Sequence, residues 1–148
     1  MIINILSLGK FKRNQPYKEI FEYYKKRIKV RINLVELKTY NTEKKKNLEK
    51  NEIVKNINKE DFVITLDERG EDLSSKNFSN IIKKNMNQSC KKIIFIIGSE
   101  EGLDDYFKKS FKTIAFGNQT WPHLMVRVML IEQIYRAFEI MKNSRYHK

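Results

Sequence analysis

Three short segments concentrate the residue types that could carry chemistry. They are "TLDERG" (65–70), "IIGSEEG" (96–102) and "AFGNQTWPH" (115–123), and each one lies at or just after an apolar run. In open parallel sheets, ligands bind just beyond the carboxyl ends of the strands. We therefore expect these three segments to form the edge of a single binding site.

The middle segment is a loop framed by glycines. Gly98 and Gly102 are spaced G-x-x-x-G, which is neither the dinucleotide fingerprint nor a phosphate-binding loop. Glu100 and Glu101 would repel a phosphate, whereas their carboxylates suit a positively charged ligand or the hydroxyls of a ribose. Without a ligand, the same spacing describes a structural turn in which glycine allows a close approach of the backbone.

The third segment leads into a helix. Pro122 is favoured in the first turn of a helix, and Thr120 is a candidate cap for that helix. The backbone amides and carbonyls of 116–121 would then face the site and could read the edge of an adenine. Trp121, the single tryptophan, either plugs the core under the helix or forms a wall of the site. His123 is either a hydrogen-bonded polar residue or, with an ordinary pKa of about 6.5, a proton acceptor.

The composition describes one domain spanning residues 1–148, which we expect to be cytoplasmic. Hydrophobic residues make up 41% of the chain and charged residues 32%, as in a globular protein. The lone Cys90 excludes an internal disulfide and a four-cysteine metal site, and we expect no bound metal. No apolar run approaches the roughly 18 residues of a membrane span, and the amino terminus lacks the residue order of a secretory signal.

The net charge of +12 suggests a polyanionic partner such as nucleic acid. Drift towards A/T-rich codons explains the same charge, because Lys, Asn and Ile number 23, 14 and 19. Lysines also outnumber arginines by 23 to 7, whereas bidentate contacts to phosphates and bases favour arginine. The charge therefore supports a nucleic-acid partner without establishing one.

Strands and helices alternate along the chain. Central runs such as "IIFII" (93–97) are apolar on both faces, which is typical of a parallel sheet covered on both sides. We therefore predict an α/β fold with a mostly parallel sheet flanked by helices. The predicted strands are 2–9, 30–39, 61–67, 91–102 (running into the glycine loop) and 112–116, and the predicted helices are 16–28, 74–85, 103–110 and 122–142, with a turn at 68–72 and a solvated helix or mobile arm within 41–60.

The terminal helix carries more apolar surface than one face of a sheet can cover. Val128, Ile131 and Phe138 form part of a buried stripe, and Leu124 adds an apolar position beside it. This excess predicts that the helix also contacts a partner subunit. The chain then closes on "SRYHK" (144–148), which is either a frayed end or a group of side chains that stacks on an RNA base and contacts phosphates.

Taken together, these segments resemble a known family. "VITLDERG", "FIIGSEEGL", "TWPHLMVRVMLIEQIYRAFEIM" and the closing "YHK" resemble, in order and spacing, the ribosomal RNA large subunit methyltransferase H family, whose members are SPOUT-class enzymes. The resemblance covers nearly the whole chain, including "INILSLGK" at its start. It implies a SPOUT-type α/β domain with a C-terminal trefoil knot, a topology that general rules count as essentially absent.

The resemblance also implies an activity. S-adenosylmethionine would bind in the knot, and its methyl group would be transferred to N3 of a pseudouridine in helix 69 of 23S rRNA, within the 50S subunit or the 70S ribosome. The protein would be a homodimer, with each site completed by the terminal residues of the partner. The cofactor-binding positions carried over to this chain are Leu66, Gly98, Phe116, Gly117, Asn118, Gln119, Thr120 and Trp121.

The catalytic positions follow from the same resemblance. His147 and Tyr146 are candidates for handling the target base, and Arg127 and Arg136 for electrostatic stabilisation or dimer contacts. Ser99 stands where the family usually has a second glycine. Two alternatives stay open at this point: an RNA- or ribosome-associated binding module without catalysis, and an unrelated flavodoxin-like protein that binds a flavin or a phosphate.

Overall fold

The computed structural model describes residues 1–13 and 15–148. In this part of the chain, five strands alternate with five helices, as the sequence predicts. The elements are β1 (Ile2–Leu8), α1 (Pro16–Lys25), β2 (Arg31–Leu37), α2 (Lys45–Val54), β3 (Phe62–Asp72), α3 (Ser75–Asn87), β4 (Lys92–Ile97), α4 (Asp105–Ser110), β5 (Lys112–Ala115) and α5 (His123–Met141).

The strands form one sheet in the order β2-β1-β4-β3-β5. All four pairings between these strands are parallel, which confirms the predicted α/β class and the parallel sheet. The carboxyl ends of all five strands therefore lie along one edge, which we call the carboxyl edge, and their starts lie along the opposite amino edge. The trefoil knot implied by the resemblance stays a prediction.

Helices cover both faces of the sheet. In β4, Phe95 points into a core formed with α1, α3 and α5, whereas its neighbour Ile96 points into a second core formed with α2 and α4. Both side chains are fully buried. Because successive strand residues face opposite sides, a run such as "IIFII" has to be apolar throughout. No helix in the described residues is long and apolar enough to cross a membrane.

The charged segment 41–60 contains an ordered helix, so its interpretation as a mobile arm is wrong. Helix α2 buries Ile53 against the sheet, leaving it 1% exposed, and Glu49 is only 3% exposed. The Glu49 carboxylate accepts a hydrogen bond from the backbone N–H of Tyr40 at 3.3 Å and lies 3.7 Å from Nζ of Lys45. These two contacts compensate the cost of burying a carboxylate.

The turn predicted at 68–72 is also wrong, because β3 continues through this stretch to Asp72. Its register against β5 shifts between Leu66 and Glu71, as in a β-bulge. At the shift, β3 passes so close to β5 that a Cβ on Gly70 would lie 2.6 Å from the carbonyl carbon of Ile114. Only glycine fits at this crossing.

The crossing yields a stability prediction. Gly70→Ala places a methyl group against the Ile114 backbone, which cannot move aside as a flexible side chain could. We expect the free energy of unfolding to fall by about 2 kcal/mol, a typical cost of overpacking. Urea unfolding followed by circular dichroism measures this loss. Arg69→Ala, at an exposed position on the same strand, is the control, and an equal loss in both variants would show that the crossing at Gly70 is not tight.

Candidate active site

A cleft of about 540 Å³ lies at the carboxyl edge, where β4 and β5 end on either side of β3. The three segments that the sequence singled out form its walls, so their predicted convergence is confirmed. The cleft is lined by residues 66–69 within β3, residues 97–103 at and after the end of β4, residues 114–117 and 119–122 at and after the end of β5, and His123 and Val126 of α5.

Most of the positions carried over as cofactor-binding lie in this cleft. Seven of the eight line it: Leu66, Gly98, Phe116, Gly117, Gln119, Thr120 and Trp121. Asn118 belongs to the same loop but is not part of the lining. Trp121 is 39% exposed, so it forms a wall of the cleft instead of plugging the core.

Carboxylates on the far end of β3 hold the loop 116–121 in place. The backbone N–H of Gly117, a residue with a positive φ of 83°, donates to Oδ1 of Asp72 at 3.0 Å. The hydroxyl of Thr120 donates to the Glu68 carboxylate. Thr120 therefore does not cap α5, and its prediction as the cap is wrong. Pro122 occupies the cap position without a side-chain hydrogen bond. Sequence reasoning missed Glu68 and Asp72 because it read 68–72 as a turn.

The glycine loop is a tight turn. A Cβ on Gly98 would lie 2.9 Å from Cγ of Leu103, so this position has little room for a side chain. The backbone N–H of Gly102, with a φ of 81°, donates to the carbonyl of Ser99 at 2.9 Å and closes the turn. Ser99 is therefore accommodated in this turn without opening the loop. Its hydroxyl is buried and has no hydrogen-bond partner among the described residues.

The charge of the cleft is predominantly acidic. Asp67 is paired with Arg69 and Lys108, at 3.3 and 3.6 Å. Glu100 and Glu101 lie on the rim, with side chains 84% and 66% exposed. Glu101 lies 3.5 Å from Nζ of Lys45, whereas Glu100 has no lysine or arginine partner among the described residues. Such a rim favours a cation over a phosphate. The described residues contain no group of three or more side chains that could hold a metal ion.

His123 stands at the junction of the cleft and α5. Burial lowers the pKa of its imidazole, the nearby Arg127 guanidinium lowers this pKa further, and Glu100 opposes both effects. Nδ1 of His123 is buried without a hydrogen-bond partner among the described residues. At neutral pH, His123 is therefore a neutral imidazole with a ring nitrogen free to interact with a ligand.

Arg127 is fully buried and does not line the cleft. Its guanidinium donates to Oε2 of Glu36 at 2.9 Å and to the carbonyls of Leu8 and Gly9 at 3.2 and 2.8 Å. It also lies 4.7 Å from the ring centroid of Phe11. These contacts join the end of β1 and the segment after it to the first turns of α5.

The closing segment is ordered and folds back on α5. The hydroxyl of Tyr146 donates to Oε1 of Glu132 at 2.9 Å, and Arg136 donates to the same oxygen at 2.6 Å. Nδ1 of His147 lies 3.3 Å from Nη1 of Arg136. Burial and the hydrogen bonds to Tyr24 and Glu132 raise the pKa of Tyr146 well above its ordinary value. Neither Tyr146 nor His147 lines the cleft of its own chain.

The comparisons with known proteins define the class of protein. A family model described as "Predicted SPOUT methyltransferase" matches residues 1–147. A solved structure, a probable methylase family protein from Haemophilus influenzae Rd KW20, superposes with a TM-score of 0.56 over 99% of this chain and 70% of that chain. Its sequence is only 14% identical, so this likeness supports the fold alone.

Relatives of known name identify the family within this class. Proteins named "Ribosomal RNA large subunit methyltransferase H" from Mycoplasmopsis synoviae and Caldicellulosiruptor bescii are 40% and 37% identical to this chain. The first alignment covers 100% of both chains, and the second covers 99% of this chain and 100% of the relative. The chain belongs to the ribosomal RNA large subunit methyltransferase H family of SPOUT methyltransferases. This finding confirms the resemblance and excludes the flavodoxin-like alternative.

The state of His123 predicts a pH dependence of stability. Because folding lowers its pKa, the unfolded chain takes up the proton first as the pH falls through about 6.5. His123 therefore contributes a loss of stability below this pH, and His123→Gln, which lacks the titrating ring, removes that contribution. Urea unfolding at a series of pH values, with the variant subtracted from the wild type, isolates the effect. Parallel curves for the two proteins would contradict it.

Proposed function

We propose that this protein transfers a methyl group from S-adenosylmethionine to large-subunit ribosomal RNA, at N3 of a pseudouridine in helix 69 of 23S rRNA. The cleft is the observation that carries the proposal, because it brings seven of the eight positions expected to bind the cofactor into one cavity. Membership of the family and the printed name of its relatives support the substrate class. A ribosomal substrate places the reaction in the cytoplasm.

The residues of the cleft fit S-adenosylmethionine. Glu100 and Glu101 offer negative charge to a cation and acceptors to an amine. The Ser99 hydroxyl and Nδ1 of His123 are buried polar atoms that a bound ligand can satisfy. The backbone of Gln119, Thr120 and Trp121 offers amides and carbonyls to an adenine edge, while Leu66 and Leu103 supply apolar walls. When bound, S-adenosylmethionine supplies an electrophilic methyl group on a sulfonium centre.

The chain's contribution to the transfer is to position the base and to assist loss of the N3 proton. Tyr146 is protonated at neutral pH because its pKa is raised, so its hydroxyl keeps donating to Glu132 while its ring offers a stacking surface to the base. Nδ1 of His147 lies 3.3 Å from Nη1 of Arg136, and with Nδ1 as the acceptor the ring carries an N–H at Nε2 that can donate to a base carbonyl. Orientation of this kind supplies much of a transfer rate. The neutral imidazole of His123 is the candidate proton acceptor within the cleft.

Arg127 has a positioning role in this proposal. A guanidinium that is fully buried against Glu36 and two backbone carbonyls does not reach the substrate directly. It instead fixes the start of α5, which carries His123, relative to the end of β1. Electrostatic stabilisation near the tail falls to Arg136, whose hydrogen bond to Glu132 raises its pKa and keeps it charged.

The proposed assembly is a homodimer. Tyr146 and His147 lie outside the cleft of their own chain, so they act on the target base only if they reach the cleft of a partner. Helix α5 supports this arrangement, because Leu124, Met125 and Met129 are only half-buried within one chain. A partner subunit that covers these residues removes apolar surface from water.

Transfer of a labelled methyl group tests the activity. Purified protein and labelled S-adenosylmethionine are added to ribosomes that either carry or lack the helix 69 pseudouridine. We expect label in 23S rRNA only when the pseudouridine is present, because pseudouridine carries an N1–H that uridine lacks and that the enzyme can recognise. Absence of label in both preparations contradicts methyl transfer and leaves the binding-module alternative. Equal label in both contradicts the choice of pseudouridine.

The tail roles are tested under single-turnover conditions. Tyr146→Phe removes the hydrogen bond to Glu132 that holds the ring in place, and His147→Ala removes a hydrogen-bond donor. We expect the rate of methyl transfer to fall by about 100-fold in each variant, because the base is misplaced. Affinity for S-adenosylmethionine should not change. Lys148→Ala is the matched control at the chain end. Wild-type rates in all three variants would show that Tyr146 and His147 do not position the base.

Loop positioning by β3 gives a separate prediction. Asp72→Ala removes the acceptor of the Gly117 N–H, and we expect the dissociation constant for S-adenosylmethionine to rise by about tenfold, equivalent to one charge-assisted hydrogen bond. Isothermal titration calorimetry measures this change. Glu71→Ala is the control, because the Glu71 carboxylate pairs with Lys112 instead of the loop. If both variants bind the cofactor as the wild type does, β3 does not shape the site.

A further inference from the structure

Two stretches of the sequence contain several basic residues and no acidic residue. From Tyr23 to Val35 there are five lysines and arginines and no aspartate or glutamate. From Leu73 to Ser99 there are five lysines and again no acidic residue. Random scattering of an overall positive charge would interleave some of the chain's 18 acidic residues.

The fold brings these two stretches together at the amino edge of the sheet. Arg31 begins β2 and pairs with Ile2 of β1, and the N–H of Ile2 donates to the carbonyl of Lys91, just before β4 on the other side of β1. Because strands are about 4.8 Å apart, the backbones of Arg31 and Lys91 are only about two strand spacings from each other. Helices α1 and α3 also end at this edge, where they carry Lys26 and Lys84 in or just after their last turns. The amino-edge basic surface comprises Lys26, Arg27, Lys29, Arg31, Lys84 and Lys91, all of which are exposed.

The cations of this surface lack acidic partners. Lys108 at the cleft pairs with Asp67, and Lys92 at the start of β4 pairs with Asp61, so neither belongs to the surface. None of the six residues of the amino-edge basic surface forms a salt bridge within the described part of the chain. Together they form an exposed, positively charged patch at the edge opposite the cleft.

Helix dipoles explain only part of this concentration. A cation in the last turn of a helix is stabilised by the carbonyls there, and Lys25 and Lys84 occupy such positions. Lys29, Arg31 and Lys91 lie in the connections or at strand starts, where no helix end calls for a cation. Arg27 also stacks over the exposed ring of Tyr23, with its guanidinium carbon 3.5 Å from the ring centroid. A stacked guanidinium and tyrosine next to clustered lysines is a pattern suited to RNA.

We propose that the amino-edge basic surface binds the phosphate backbone of RNA, at a position separate from the cleft. The choice of RNA over other polyanions rests on the proposed function. The seven residues of β1 span the sheet from edge to edge, which is about 23 Å at 3.3 Å per residue. The contacted phosphates therefore lie about 20 Å or more from the base held at the cleft. The surface anchors the protein on RNA without contacting the reacting base.

Salt-dependent binding of an RNA duplex tests this proposal. The variant Lys29→Gln/Arg31→Gln/Lys91→Gln removes three cations of the surface. Lys38→Gln/Lys44→Gln/Lys46→Gln removes three exposed cations outside it and is the matched control. Binding of a fluorescein-labelled RNA duplex of random sequence is followed by anisotropy over a series of KCl concentrations, and calorimetric binding of S-adenosylmethionine verifies that each variant is folded.

The surface variant should lose about 2 to 3 units of the slope of log K against log salt, because each released phosphate contact contributes about 0.9. Its affinity for the duplex should fall at least about tenfold near physiological salt, while the control keeps the wild-type slope. A further variant, Lys29→Arg/Arg31→Lys/Lys91→Arg, keeps the charges and should bind as the wild type does.

Three outcomes overturn the proposal: equal losses in the surface and control variants, no loss in the surface variant, or a loss of binding to phosphatidylglycerol vesicles with duplex binding unchanged. Failure of the proposed function gives a different result, because a protein that does not methylate ribosomes can still bind the duplex with the wild-type slope.

Discussion

Because Gly70 lets β3 pass against the backbone of Ile114, β3 continues beyond its regular pairing and carries Glu68 and Asp72 over the end of β5. Those two carboxylates then hold Thr120 and Gly117. The shape of the loop 116–121, and with it one wall of the cleft, depends on that single close approach. A larger residue at position 70 would separate the two strands and detach the loop from its supports.

Buried Arg127 performs the corresponding task on the opposite side of the cleft. An unpaired guanidinium would be costly in the interior, but Glu36 and the carbonyls of Leu8 and Gly9 satisfy most of its donors. The carbonyls that it binds belong to the end of β1, so α5 cannot shift along the sheet without breaking them. The orientation of His123 towards the cleft is a consequence of this fixed helix start.

The sequence predicts the α/β class, the alternation of elements and the three converging loops, because buried strands such as β4 are apolar on both faces. Prediction from the sequence is wrong where a strand continues beyond the core. Residues 68–72 are mostly exposed and polar, and their composition is that of a turn, so only the structure shows that β3 continues through them and that Glu71 and Asp72 pair with β5. The prediction of Thr120 as a helix cap is wrong for a related reason, because the hydroxyl's partner Glu68 lies 52 positions away in the chain. Tyr146 and His147 lie outside their own cleft because of contacts with residues elsewhere in the chain, and no local sequence pattern predicts such contacts.

The contacts of the closing segment have a thermodynamic consequence. Glu132 and Arg136 hold Tyr146 and His147 against α5 in the folded chain, and the ring of Tyr146 packs at 4.9 Å from that of Tyr135. A disordered tail would lose conformational entropy each time it met a ligand. Here that loss accompanies folding, so the side chains at the end of the chain meet an incoming molecule already ordered, and their contacts contribute to affinity without a further entropic penalty.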